Sequence, residues 1–343
     1  MKRKLADWAP PAHWTRIATI DMHTGGEPLR VITAGLPPIE GNSVLEKRRF
    51  FRDNYDHLRT GLMWEPRGHA DMYGAVLSES RDADFDVFFI HNEGYSTMCG
   101  HAIIALTTLA VEAGLVDIGD RSEIGISFNV PAGRIEATAA IDNGKARNVR
   151  FRNVPSFLYL RDQEVDLPGL GRVRFDIAYG GAFYAIVAAP HGTALVPEEF
   201  NRLIDCGRRI KHAVMDAFSI LHPFESDLSF LYGTIFTGPP QRAGHHSRNV
   251  CIFAEGELDR SPTGSGVSAR AALHHAKGEL VLGQEITIES ILGSTMSVKA
   301  VARTTYGNHE AIIPEVGGRA HITGRNELYF DPEDPLRSGF IFR

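Results

Sequence analysis

One of the three cysteines, Cys99, stands at a position where a thiol can move protons. It lies in the turn Met98-Cys99-Gly100-His101, directly before an Ala-, Ile- and Leu-rich segment that predicts a helix over 100–113. A helix N-terminus offers unpaired N–H groups and about half a positive charge, so it binds anions and lowers the pKa of an adjacent thiol from about 8.5. We therefore predict that Cys99 is a base, whereas Cys206 and Cys251 are structural.

A second Gly-rich turn, Pro262-Thr263-Gly264-Ser265-Gly266, repeats this arrangement and opens a predicted helix over 265–277. Thr263 stands 164 residues after Cys99 and is its equivalent. In a fold built from two copies of one unit, equivalent positions face each other across a pseudo-two-fold axis. Two helix N-termini would then hold a carboxylate, with Cys99 and Thr263 on opposite faces of the bound molecule.

Further repeats support a duplication. The blocks 21–32 and 176–187 share an aspartate, a Gly-Gly pair and closing apolar residues, and they lie 155 positions apart. Gly114 and Gly278, again 164 apart, end the two predicted helices as C-terminal capping glycines do. The order strand, helix, strand, helix, strands therefore occurs twice, which predicts an α/β (α+β) protein of two similar halves.

We place the boundary of the halves near residue 170, in a Pro- and Gly-containing stretch. Residues 1–170 then form the half with the first turn, and residues 171–343 form the half with the second. The sequence leaves open whether the last residues, about 325–343, pack back on the first half.

The composition narrows the class of partner. Of the 343 residues, 43% are hydrophobic and 23% are charged, as in ordinary globular proteins. The net charge of −6, without a basic stripe, argues against nucleic acid or an anionic membrane surface. No apolar stretch approaches the ~20 residues that cross a bilayer, and the N-terminus lacks a signal-peptide core. We expect a cytoplasmic protein that takes a small molecule, and a homodimer is compatible with the sequence.

No motif predicts a cofactor or a metal. The pairs His245-His246 and His274-His275 are adjacent rather than spaced i, i+4, and neither a His-Glu-x-x-His motif nor a cysteine cluster occurs. Residues 264–269 fit the dinucleotide pattern G-x-G-x-x-A, but no strand precedes them. We therefore predict catalysis without a cofactor or a metal.

Three segments of the chain resemble the signature blocks of the proline racemase family. They are His23-Thr-Gly-Gly-Glu27, Met98-Cys-Gly-His101 and Asp259-Arg-Ser-Pro-Thr-Gly-Ser-Gly266. The resemblance covers essentially the whole chain, in the family's order and spacing. It implies a fold like diaminopimelate epimerase, in which two pseudo-symmetric halves each wrap a curved mixed sheet around a central helix.

The resemblance also implies a reaction. Racemases and epimerases of the family carry a cysteine in both turns, whereas here Cys99 is paired with Thr263, as in the subgroup that dehydrates trans-3-hydroxy-L-proline. A threonine hydroxyl cannot exchange protons near neutral pH, so racemisation should fail. In this substrate the hydroxyl and the α-hydrogen share one ring face, so Cys99 could take the α-proton and then protonate the departing hydroxide. The product is Δ1-pyrroline-2-carboxylate.

By the family pattern, Asp259 and His101 bind the ring amine of the amino-acid substrate. The same pattern assigns the substrate carboxylate to the backbone N–H groups of Gly100, His101, Gly264 and Ser265. The segment 65–74 also resembles the family, and from it we expect His69 and Asp71 to support the site. Two alternatives stay open: a proline or 4-hydroxyproline racemase or epimerase, and a non-catalytic proline-binding protein.

Overall fold

The computed structural model describes residues 8–342. This part of the chain contains four α-helices and eighteen β-strands. The helices are α1 (Val44–Met63), α2 (Gly100–Glu112), α3 (Phe200–Ala217) and α4 (Gly264–Ala276). The strands are β1 (Thr15–Thr24), β2 (Glu27–Ala34), β3 (Tyr73–Ser78), β4 (Phe85–His91), β5 (Gly94–Ser96), β6 (Glu123–Val130), β7 (Gly133–Asp142), β8 (Lys145–Arg152), β9 (Phe157–Leu167), β10 (Gly171–Tyr179), β11 (Phe183–Ala188), β12 (Leu231–Gly238), β13 (Ser247–Phe253), β14 (Glu257–Leu258), β15 (Glu285–Glu289), β16 (Thr295–Tyr306), β17 (His309–Gly318) and β18 (Ala320–Phe330).

The strand pairing repeats itself along the chain. β2 and β3 pair in parallel across the crossover helix α1, and β4 and β6 pair in parallel across α2. In the same way β11 and β12 pair across α3, and β13 and β15 pair across α4. The other pairs are antiparallel, so the sheet is mixed. The predicted α/β class, with a curved mixed sheet and few helices, is confirmed.

The last strand of each repeat pairs with the first strand of the other repeat. β9 pairs antiparallel with β10, and β18 pairs antiparallel with β1 along its whole length. Near the C-terminus, Phe340 forms a further bridge to Glu65, so this segment lies against the early part of the chain. β8 and β17 pair with each other and join the two sets of strands. A division of the chain near residue 170 stays a prediction, since β9 and β10 form a hairpin across it.

The helices α2 and α4 are the central ones. Every residue of α2 from Gly100 to Val111 is buried, because its sequence is mostly apolar and its two threonine hydroxyls bond carbonyls of the helix itself. α4 is buried from Gly264 to Leu273, and Nη1 of its Arg270 donates hydrogen bonds of 2.7 and 2.8 Å to side chains of β13. The glycines that follow both helices have positive φ values of 69° and 76°, as the C-terminal caps require.

The helices α1 and α3 lie on the outside of the sheet. α3 buries a stripe that includes Leu203, Cys206, Ile210 and Val214, at the i, i+3, i+4 spacing of an amphipathic helix. Cys206 is buried in α3 and Cys251 is fully buried in β13; that both are structural stays a prediction. Within residues 8–342, no helix combines the length and the apolar character that crossing a membrane requires.

Candidate active site

The N-termini of α2 and α4 touch each other through two glycines. A Cβ atom on Gly100 would lie 2.6 Å from Gly264 Cα, and one on Gly264 would lie 2.6 Å from Gly100 Cα. Only glycine permits this approach. The first hydrogen bonds within the helices run from Ile103 N to the Cys99 carbonyl (3.0 Å) and from Val267 N to the Thr263 carbonyl (2.7 Å). The earlier N–H groups of both helices therefore have no acceptor within their own helix.

A small cavity lies where the two helices meet. Its volume is about 20 Å³, which holds about one water molecule. All the site residues predicted from the sequence line it, namely Cys99, Gly100, His101, Asp259, Thr263, Gly264 and Ser265. The rest of the wall is aromatic and apolar, and consists of Tyr73, Met98, Tyr184, Tyr232 and Phe253. The roles of these residues toward a substrate stay predictions.

Cys99 directly precedes α2 as its N-terminal capping residue. Its backbone is extended, and its side chain is buried, with 4% exposed. Its Sγ lies 3.1 Å from Nδ1 of His101. Burial raises the pKa of the Cys99 thiol well above its ordinary value, and the acidic side chains of Asp259 and Glu27 add to this. The N–H of Ala102 lowers the pKa, as a helix N-terminus should, but burial outweighs it. The expected low pKa for the thiol is therefore wrong for this cavity, because the sequence does not show how deeply Cys99 is buried.

Thr263 faces the cavity from the start of α4 with a strained backbone. Its φ of 68° and ψ of 97° are unusual for a β-branched residue, and such positions cost of order 1–3 kcal/mol. The Oγ1 atom is buried without a hydrogen-bond partner, and it does not cap the helix. The fold holds this hydroxyl at the position equivalent to Cys99, where it opposes the burial that raises the pKa of the Cys251 thiol.

Two buried carboxyl groups lie together beside Cys99. Asp259 accepts a hydrogen bond from the N–H of Ser261 (2.7 Å), and Glu27 accepts one from the N–H of Arg260 (2.7 Å). The other oxygen of Glu27, Oε1, is buried without a partner. Burial, and then the neighbouring Asp259, raise the pKa of Glu27 well above its ordinary value. A cationic amine beside this pair would favour the ionised form of Glu27.

His101 is buried and neutral. Burial lowers its pKa, although Asp259 and a hydrogen bond to the Pro28 carbonyl act in the opposite direction. Of the two supporting residues expected from the segment 65–74, Asp71 forms an ion pair of 2.6 Å with Arg260, next to Asp259. His69 is exposed, is not among the residues that line the cavity, and bonds its own neighbour Ala70.

Three tyrosines of the wall and Glu27 were missed as site residues. Tyr184 and Ser265 share a hydrogen bond of 2.6 Å, and Tyr73 is bonded to Ser96. The hydroxyls of Tyr73 and Tyr232 lie 3.5 Å apart. These last two are equivalent, since each precedes a glycine in the strand after a crossover helix, and they lie 159 residues apart. That repeated Tyr-Gly pair is the signal by which the sequence could have revealed them.

The fold and the cavity define a class of protein in which two similar α/β units place paired helix ends around a thiol. Within the described residues 8–342, no group of three metal-ligating side chains could hold an ion. The chain belongs to the proline racemase family, because the family model described as Proline racemase matches residues 19–341.

Similar proteins cover nearly the whole chain. A trans-3-hydroxy-L-proline dehydratase from Colwellia psychrerythraea is 52% identical, over 99% of this chain and 97% of that protein. The human protein of the same name is 46% identical, over 95% of both chains. Among solved structures, a hydroxyproline epimerase from Agrobacterium vitis with bound trans-4-hydroxy-L-proline superimposes with a TM-score of 0.91 at 29% identity, over 97% of this chain and 96% of that one.

Proposed function

We propose that this protein is a hydro-lyase that dehydrates trans-3-hydroxy-L-proline to Δ1-pyrroline-2-carboxylate. The observation that carries the proposal is the asymmetric pair at the helix ends, where the Cys99 thiol and the Thr263 hydroxyl line one cavity. The names of the relatives from Colwellia psychrerythraea and human support it.

The substrate's carboxylate and ammonium groups match two different sets of groups in the cavity wall. We infer that the free N–H groups at the start of α2 and α4 bind the carboxylate, as helix N-termini bind anions. The secondary ammonium group then lies against Asp259 and His101, with Glu27 behind them. Burial is the main cause of the raised pKa of Cys99, and a cation at this position offsets what Asp259 and Glu27 add to it. Substrate binding therefore favours the thiolate that the reaction needs.

The reaction begins when the Cys99 thiolate removes the α-proton. Thr263, on the opposite face, holds its proton too tightly to deliver it to the carbanion, because a hydroxyl is a far weaker acid than a thiol. The carbanion then expels the 3-hydroxyl group, which leaves as water with a proton supplied on the same face. The enamine that forms tautomerises to the cyclic imine.

The purified protein tests this proposal directly. Incubation with trans-3-hydroxy-L-proline should give an imine that forms a coloured adduct with o-aminobenzaldehyde. Cys99→Ser should abolish the product, whereas Cys206→Ala, which removes a buried thiol far from the cavity, should keep it. A folded, unaltered protein that gives no adduct would sink the proposal.

The second candidate function is epimerisation of proline or 4-hydroxyproline. The likeness to the hydroxyproline epimerase from Agrobacterium vitis favours it. It requires a water molecule to replace the missing acid at Thr263, and it predicts incorporation of deuterium at the α-carbon together with the opposite stereoisomer. A protein that only binds proline would show neither deuterium exchange nor product.

We also propose a reducing compartment such as the cytoplasm, since the three cysteines are all free thiols. A homodimer is compatible with the sequence, and sedimentation of the full chain distinguishes it from a monomer by its mass.

A further inference from the structure

Tyr73 has no role in the chemistry above, although it lies against the reacting thiol. It begins β3, is 3% exposed and lines the cavity with Cys99. Its ring meets the ring of His101 edge-on, with centroids 4.9 Å apart. Because His101 is itself 3.1 Å from the sulfur of Cys99, Tyr73 stands on the thiol's side of the cavity.

The surroundings of Tyr73 hold its hydroxyl in one place. The ring stacks on His91 with centroids 5.6 Å apart, and it meets Phe253 edge-on at 6.2 Å. The hydroxyl is hydrogen-bonded to Ser96 and lies 3.5 Å from that of Tyr232. Burial raises the pKa of Tyr73 well above its ordinary value, so the phenol keeps its proton. It also stabilises the Cys99 thiolate, since a hydrogen bond from Tyr73 lowers the pKa of that thiol.

The stereochemistry of the substrate requires an acid on this same face. In trans-3-hydroxy-L-proline the 3-hydroxyl is opposite the carboxylate and therefore on the face of the α-hydrogen. The α-hydrogen and the leaving group thus both face Cys99 and Tyr73. Hydroxide is a poor leaving group, because water has a pKa of about 15.7, so its departure needs a proton from a neighbouring group.

We propose that Tyr73 is the general acid of this elimination and gives its phenolic proton to the departing 3-hydroxyl group. This inference rests on the proposed dehydratase function and refines it, since Cys99 then acts first as a base only. The C2–H bond breaks and its proton passes to Sγ of Cys99. The C2–C3 double bond forms as the C3–O bond breaks, and water leaves with the proton of Tyr73. The Cys99 thiol then returns its proton to the Tyr73 phenolate, which restores both groups.

Another cavity tyrosine is less suited to this role. Both tyrosines share a hydrogen bond with a serine, but the partner of Tyr184 is Ser265, at the start of α4 and therefore on the side of Thr263. Tyr73 is the tyrosine whose neighbours, Ser96 and His101, flank Cys99 in the chain.

The test compares two leaving groups in the variant Tyr73→Phe. With trans-3-hydroxy-L-proline, kcat for elimination should fall by about 10²–10⁴-fold, the usual contribution of a general acid. With trans-3-chloro-L-proline kcat should fall far less, because chloride leaves without a proton and the variant loses only the hydrogen bond that stabilises the Cys99 thiolate. In D₂O the variant should still incorporate deuterium at the α-carbon of trans-3-hydroxy-L-proline, because Cys99 is intact.

Controls separate the chemical role from a structural one. Tyr179→Phe removes the hydroxyl of a fully buried tyrosine that is not among the cavity lining, and it should leave both rates unchanged. If Tyr73→Phe loses activity equally on both substrates, or keeps full activity on both, Tyr73 is not the acid and the inference falls. If the unaltered protein makes no imine from trans-3-hydroxy-L-proline, the proposed function itself falls, and the inference falls with it.

Discussion

The contact between Gly100 and Gly264 predicts a large effect from a single methyl group. In Gly100→Ala the new Cβ would lie 2.6 Å from Gly264 Cα and 2.9 Å from the ring of Phe151. Carbon atoms in contact normally lie about 3.5–4.0 Å apart, so the two helix ends must separate by about 1 Å. A misplacement of this size in a catalytic site costs about 100-fold in rate. Overpacking of the buried contact should also cost about 1–3 kcal/mol of stability.

Two measurements check this expectation. The kcat for dehydration should fall about 100-fold, and thermal unfolding followed by circular dichroism should shift downward by a few degrees. Gly125→Ala is the matched control, because Gly125 is an exposed residue of β6 and its new Cβ would find only the Ala137 carbonyl, at 3.9 Å. Gly264→Ala should behave like Gly100→Ala, since the contact is reciprocal. A folded Gly100→Ala protein with unchanged kcat would refute the idea that the two helix ends act as one rigid carboxylate site.

Further expectations concern Thr263, Cys99 and Glu289. Thr263→Cys places a second thiol opposite Cys99 and should create racemisation of L-proline, which polarimetry would follow. An unchanged optical rotation would contradict the placement of residues 99 and 263 on opposite faces of the substrate. Because burial raises the pKa of Cys99, kcat/KM should keep rising with pH above about 8.5. A plateau of kcat/KM near neutral pH would show that the pKa of the thiol is not raised. Burial would raise the pKa of Glu289, but hydrogen bonds from Gln241, Arg242, His245 and Arg248 hold it at about 2. Glu289→Gln should therefore cost roughly 3 kcal/mol at pH 7, measured by urea unfolding, because Arg248 is left buried without its partner. This difference should shrink as the pH falls toward 2, where the carboxyl of the unaltered protein is protonated, and a constant difference would contradict the assigned pKa.

The sequence revealed the backbone of the site better than its electrostatics. The repeated glycine turns located both central helices and their capping glycines, because local chemistry determines where helices begin and end. Burial depends on tertiary packing, so the sequence did not reveal that Cys99 has a raised pKa. It also did not show that β18 returns to pair with β1, since either edge of a sheet could have accepted that strand.

Side chains whose partners lie far away in the sequence are the hardest to predict from the sequence. In the sequence Glu27 stands out only as the last residue of the block 23–27, and its proximity to Asp259 depends on contacts between residues more than two hundred positions apart. Tyr73 and Tyr232 were hidden because tyrosines in apolar strands are ordinarily core residues. The parallel pairing of β3 with β2 and of β12 with β11 in the two repeats establishes their equivalence, which the sequence carries only as a repeated Tyr-Gly pair.

The duplication explains how one side chain can change the reaction while the binding site stays the same. The carboxylate would be bound by backbone N–H groups at two equivalent helix ends, and backbone groups do not depend on whether residue 263 is a cysteine or a threonine. The proton chemistry, in contrast, depends entirely on side chains. Cys99 has Tyr73 and His101 beside it, whereas Thr263 offers a hydroxyl without a hydrogen-bond partner. A symmetric frame with an asymmetric pair of side chains therefore favours reactions in which the proton and the leaving group depart from one face.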